Sequence, residues 1–188
     1  CGLKNTLSSK IMCIGGPAGW AQPAGVIPDL VKKVWNMDLQ TVSYDDLDLL
    51  IHDARADKAN VDLAKSRADE YLAMPDTKLE TKREFVDNCF LLDQVFRHIM
   101  AEADCRAITI QGCMATIMPK ASTSACLTLS TLNDDGYLAF CESDFVVIPS
   151  GILLANISNL PVFLNDPTYP HDGVITLAHC TGPRKMNG

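Results

Sequence analysis

The feature that most constrains this chain is the alternation of short apolar runs with longer stretches whose apolar residues recur every three to four positions. Lys10 to Ile14 is an apolar run closed by Gly15-Gly16-Pro17, and Pro23 to Trp35 follows with Ile27, Leu30, Val31 and Val34 at helical spacing. Leu39 to Val42 predicts a second strand. Ser43, with Asp46 three residues on, predicts a helix start for Tyr44 to Ala54, where Leu47, Leu50 and Ile51 share one face. Asn60 to Leu72 and Leu79 to Ala103 predict two further helices, the second striped with Phe85, Cys89, Leu92, Val95, Phe96 and Ile99, with Met74-Pro75-Asp76 between them. Ala107 to Ile110 then predicts a strand, Ser122 to Leu132 a helix, and Asn133-Asp134-Asp135-Gly136 a turn before a strand at Tyr137 to Cys141. Val147 to Ile157 predicts a helix, and Val162 to Leu164 and Val174 to Ala178 two last strands. Strand alternating with helix is the pattern of a mostly parallel sheet covered on both faces, so the expected fold is a doubly wound α/β domain of Rossmann-like or flavodoxin-like type.

A chain of 188 residues, 47% hydrophobic, can bury a core that needs no disulfide or structural metal. The eight cysteines include no Cys-x-x-Cys pair and mostly sit in apolar runs, which predicts free thiols in a reducing cytoplasm. The N-terminus has no signal-peptide pattern, and no apolar run reaches the roughly 20 residues of a membrane span. A formal charge of −7 with scattered Lys and Arg argues against nucleic acid as a partner. The chain starts at a Cys and stops at Pro183-Arg184-Lys185-Met186-Asn187-Gly188, so a piece of a longer protein is expected.

In doubly wound sheets ligands gather at the carboxyl ends of the strands, which directs attention to the residues that end each strand. Tyr137 to Cys141 ends in Glu142, and Pro161-Val162-Phe163-Leu164-Asn165 ends in Asp166. The 18 residues from Ser143 to Leu160 suffice for a parallel crossover, so the two strands are expected to be neighbours, about 4.8 Å apart. Two carboxylates desolvated side by side repel unless a cation lies between them, so the pair reads as a metal site or an acid/base dyad; the bland alternative is that each caps the helix after it. His179 follows the last predicted strand, and two carboxylates with one imidazole suit Mn²⁺ or Mg²⁺. An antiparallel return in the same sheet would, however, carry His179 roughly 17 Å from Asp166, so it can be a ligand only if that strand leaves the sheet or the loop lengthens its approach.

Phe140-Cys141-Glu142-Ser143-Asp144, the crossover ending in Gly151-Ile152-Leu153-Leu154, and Pro161 to Asp166 together resemble the middle-to-late region of the L-fucose isomerase and L-arabinose isomerase superfamily. Glu142 and Asp166 stand 24 residues apart, matching the family's separation of about two dozen. The resemblance extends back through Ile108-Thr109-Ile110-Gln111-Gly112, whose Gln111 is similar to the family's substrate-side loop, to Ile14-Gly15-Gly16. The family's aromatic and basic sugar contacts after that loop are replaced by Cys113 to Pro119. The resemblance implies a metal-dependent aldose–ketose isomerase with Glu142 and Asp166 as catalytic residues. It implies Mn²⁺, or Mg²⁺ or Co²⁺, on those two with His179, as in the arabinose-type enzymes, and no organic cofactor. It further implies a sugar substrate, oligomers of the complete protein, and a division into an α/β domain over 1–172 and the start of a β-rich C-terminal domain over 173–188. A non-catalytic sugar-binding module, or a purely assembling domain, is the alternative on the same residues.

Other polar residues read more simply. His171 is expected in a turn, His52 and His98 on helices as structural or solvated residues, and Asp134-Asp135-Gly136 in a turn without the ligand positions of a calcium loop. Gly15-Gly16-Pro17-Ala18-Gly19 follows a strand but lacks both phosphate-loop spacings, so tight-turn geometry is its expected role.

Overall fold

The computed structural model describes residues 1–167 and 169–186. Four parallel strands form the central sheet: β1 (Lys10–Ile14), β2 (Asp38–Val42), β3 (Ala107–Ile110) and β4 (Leu138–Cys141), in the order β2-β1-β3-β4. Their registers place Ile11 beside Leu39 and Ala107, and Ile110 beside Cys141. Strand side chains alternate between faces, and this divides the core in two. Met12, Ile14, Ile108, Ile110, Ala139 and Cys141 enter one apolar cluster, whereas Ile11, Cys13, Ala107 and Phe140 enter the other. Because both of their faces are buried, β1, β3 and β4 read as apolar runs, whereas the edge strand β2 is half-buried or exposed along its length.

The first cluster is completed by α3 (Tyr44–Ala56), α4 (Lys58–Leu72), α5 (Arg83–Glu102), the short α6 (Met118–Ala121) and α7 (Cys126–Asp134). The second is completed by α2 (Val26–Trp35) and α8 (Ile148–Ser158), with α1 (Gly2–Thr6) packed on α8. Helices on both faces of a parallel sheet make the chain a doubly wound α/β fold of Rossmann-like kind. Ser43 opens α3 by accepting from the Asp46 N–H, and Asp57 opens α4 by accepting from the Ala59 N–H. α6 continues from a π-helical turn at Cys113–Ile117, and together with α1 these are elements that the apolar spacing did not signal.

β4 is locked to α7 by Asn133. This fully buried amide donates to the Ala139 carbonyl at 2.8 Å and accepts from the Ala139 N–H at 2.9 Å. Asn133→Ala orphans both backbone groups inside the core, and we expect a loss of about 2 kcal/mol, read as a lower urea midpoint at unchanged slope.

The predicted strand at Val162–Leu164 is not a strand. Val162 and Leu164 are buried in the second cluster, but the segment joins no sheet, and β4 pairs only with β3 among the described residues. Chain handedness accounts for this. α7 joins β3 to β4 across one face, so a right-handed step outward past β4 needs its helix on that same face. α8 lies on the opposite face, from which a right-handed return leads toward β3, where the place is taken. The expected Val174–Ala178 strand is likewise shortened to β6 (Leu177–Ala178), which pairs antiparallel with β5 (Asp166–Pro167) in a separate ribbon, Asp166 opposite Ala178.

Residues beyond this ribbon fold back over α7. Thr181 and Pro183 are buried, Ser130 Oγ donates to the Gly182 carbonyl at 2.9 Å, and the Lys185 N–H donates to Asp134 at 2.7 Å. The Arg184 guanidinium lies 5.1 Å from the centre of the Tyr71 ring.

Candidate metal centre

Where the winding direction of a doubly wound sheet reverses, adjacent loops part and leave a crevice, here between the ends of β1 and β3. Tyr44 fills it. Its ring lies against Gly15 so closely that a Cβ there would collide with it, and its hydroxyl donates to the Gln111 carbonyl. The Gly15-Gly16 turn, with φ of 79° and 99°, has the left-handed backbone of the tight turn its sequence suggests, and at Gly15 it also admits the Tyr44 ring. Gln111, the residue expected on the substrate side, has its backbone engaged on both sides, since its N–H donates to Ile14 at 2.9 Å.

Polar chemistry collects one strand further along, at the end of β4. Cys141, Glu142 and His179 bring one donor atom each to within 4.8 Å of one another. His179 Nε2 lies 3.7 Å from Glu142 Oε1, with the imidazole 7% and the carboxylate 36% exposed. On the ring's other side Nδ1 lies 2.9 Å from Thr181 Oγ1. A hydroxyl either donates or accepts, so the buried Thr181 fixes the ring orientation in either tautomer and leaves Nε2 directed at Glu142.

The backbone that presents Glu142 is strained. Glu142 and Ser143 both adopt left-handed conformations, with φ of 69° and 50°. Such residues cost of order 1–3 kcal/mol each and persist where surrounding structure over-determines them. Here the Ser143 N–H donates to Thr109 Oγ1 at 3.1 Å, and the Ser143 carbonyl accepts from Ala18 at 3.2 Å and from Phe145 at 3.0 Å. Asp144 adds to this by accepting from the Trp20 and Val146 N–H groups at 2.9 and 3.1 Å. The glycine-rich loop after β1 is therefore lashed to the turn after β4. Ser143 Oγ is buried in that turn with no hydrogen-bonding partner among the described residues.

Of the residues expected to converge, the structure brings Glu142 and His179 together, while Asp166 lies outside the three-donor cluster and is exposed. Asp166 does not leave a strand beside β4. It reaches this end of the domain on the ribbon, across from Ala178 and so one residue from His179's register. The 17 Å separation fails because it assumes a five-residue return strand, whereas the ribbon pairs Asp166 directly opposite Ala178 and lies outside the central sheet. His171 bridges to Val174 in the exposed loop, and His52 and His98 are exposed on α3 and α5.

Cys141 is the donor that strand-end reasoning passed over, because an apolar run ending in Cys reads as core. Its face of the sheet is shared by further thiols. Cys113 Sγ accepts from the Ala125 N–H at 3.3 Å and neighbours both Cys141 and Cys126, and Cys126 Sγ lies 2.9 Å from Cys180 Sγ. Partial desolvation of its sulfur, the contact with Cys126 and the nearby Glu142 push the Cys180 thiol up to about 12, and at Cys113 the lowering influence of Cys126 is outweighed by the Cys141 neighbour and desolvation, which raise it to about 11. At neutral pH both are overwhelmingly protonated, so the Cys180 sulfur beside Glu142 and His179 is almost entirely neutral.

An oxygen donor and an imidazole nitrogen at van der Waals range suit a divalent ion of intermediate hardness, and a Cys beside them admits softer ions as well. The donor set therefore fits a metal. No protein-family model and no curated protein sequence matches the chain. Among the described residues, no helix is long and apolar enough to cross a membrane.

Proposed function

We propose that the chain carries part of the active centre of a metal-dependent aldose–ketose isomerase of the L-fucose and L-arabinose type. The observation that carries this reading is the approach of His179 Nε2 to within 3.7 Å of Glu142 Oε1 at the carboxyl end of β4. The spacing of Glu142 and Asp166 in a sequence resembling that superfamily, and the position of Asp166 opposite Ala178, support it further. In this reading Glu142 and His179, with Asp166 from the ribbon, hold Mn²⁺, Mg²⁺ or Co²⁺. A bound ion of this kind would polarise the sugar's carbonyl and neighbouring hydroxyl oxygens. Glu142 is the strongest proton carrier available: a partly exposed carboxylate, held by a rigid turn, that can take a proton from the carbon beside the carbonyl and return it to the carbonyl carbon. Thr181 keeps the imidazole aimed at the centre while the carboxylate moves its proton. Self-association of the complete protein in the cytoplasm belongs to the same reading.

Thermal unfolding with and without metal tests it. At a hundredfold excess over Kd, Mn²⁺ should stabilise the wild type by about 2.7 kcal/mol, a rise of roughly 5–10 °C for a domain of this size. Glu142→Ala and His179→Ala should each lose that response, and Asp166→Ala should weaken it. Absence of a response to all three ions in the wild type would sink the proposal. A sugar-induced rise without metal would instead favour a non-catalytic sugar-binding module.

A further inference from the structure

We propose that Cys126 and Cys180 are a modification site: the two thiols close an intramolecular disulfide when the protein meets a peroxide. The sulfurs belong to residues 54 apart in sequence, one at the start of α7 and one in the turn after β6, and they stand 2.9 Å from each other. That is less than ordinary non-bonded sulfur contact and within about 1 Å of the disulfide bond length of roughly 2.05 Å, so bond formation needs only a small shift. Access is asymmetric in the way such a reaction requires. Cys180 is exposed and Cys126 half-buried, whereas Cys113 and Cys141, the other thiols of the cluster, are buried. The oxidant therefore meets Cys180 first, and the resolving sulfur already lies against it.

The chemistry balances with hydrogen peroxide as the two-electron oxidant. Cys180 is mostly protonated at neutral pH and reacts through the small fraction that has given its proton to solvent: that sulfur attacks one peroxide oxygen, the O–O bond breaks, and hydroxide leaves to be protonated to water. The Cys126 sulfur then attacks the sulfenic sulfur of Cys180, the S–O bond breaks, and a second water departs with the Cys126 proton. Two thiols lose two electrons in all, and one peroxide becomes two waters. The bond would tie the folded-back segment that carries His179 and Thr181 onto α7. This inference does not depend on the isomerase reading, because its measurement involves neither metal nor sugar.

The test is peptide mapping after treatment with hydrogen peroxide, with remaining thiols alkylated before digestion. The expected product is a peptide pair joining Cys126 to Cys180, lighter by two hydrogens and cleaved by dithiothreitol, together with a rise in Tm that dithiothreitol reverses. Cys180→Ser should abolish both, and because this residue is exposed the variant is expected to fold; Cys126→Ser should do the same from the other side. Eight alkylated thiols after peroxide, a bridge between Cys113 and Cys126, or a Tm rise that survives in Cys180→Ser would overturn the assignment.

Discussion

Asp93→Ala is expected to lower stability by about 3 kcal/mol, the low end of what removing one partner of a buried ion pair costs. Asp93 is completely buried on α5, an unusual place for a carboxylate. Three side chains converge on it: Arg67 from α4, Arg97 one turn along the same helix at 2.8 and 3.1 Å, and Thr131 from α7 at 3.3 Å. Arg97 also reaches Asp135 at 2.7 Å, at the end of α7. One carboxylate thus ties three helices of the same face together. Removing it leaves two guanidinium groups facing each other, but both are about a quarter exposed and can turn toward water, which keeps the cost from the upper end of that range. A domain of this length should lose roughly 6–12 °C in Tm. Asp93→Asn, which keeps the shape and an acceptor oxygen, should lose about half as much. A change below 1 kcal/mol in Asp93→Ala, measured by urea unfolding, would show that the three helices pack without this junction.

Gly15→Ala should cost about 3 kcal/mol for two separable reasons. The backbone is left-handed, which for a residue with a Cβ costs roughly 1–2 kcal/mol, and the added methyl group runs into the Tyr44 ring, where overpacking typically costs about 1–3 kcal/mol. The two contributions can be divided experimentally. In a Tyr44→Ala background the collision is gone, and Gly15→Ala should then cost only about 1 kcal/mol. Equal costs in both backgrounds would mean that the ring moves aside freely and does not stopper the crevice between β1 and β3.

The elements legible in the sequence are those in which one physical signal acts alone. β1, β3 and β4 are short apolar runs that must be buried on both faces, and α5 carries an apolar stripe too long and too regular to be anything but an amphipathic helix. Ser43 capping Asp46 was visible because a cap is a local bond. Val162–Leu164 misled because apolar burial in a strand-like run does not reveal whether a sheet edge is within reach; the face chosen by α8 decides that, and no local pattern encodes it. The centre was partly legible for the same reason. Glu142 follows from its place after β4, while its approach to His179 depends on a ribbon two residues wide, and the nearness of Cys141 depends on which side of the sheet that ribbon crosses. The exposed Asp166 remains the residue whose contribution the metal titration is best placed to decide.

The position of β1 has a consequence for how the chain is made. Its first neighbour, β2, is synthesised within a few dozen residues, but its second, β3, is not complete until Ile110 has emerged. During translation Ile11, Cys13 and Ile14 therefore wait with one backbone edge open while α3, α4 and α5 are added. Pairings across so long a sequence separation generally form slowly, and an unpaired strand edge left open meanwhile is prone to aggregation.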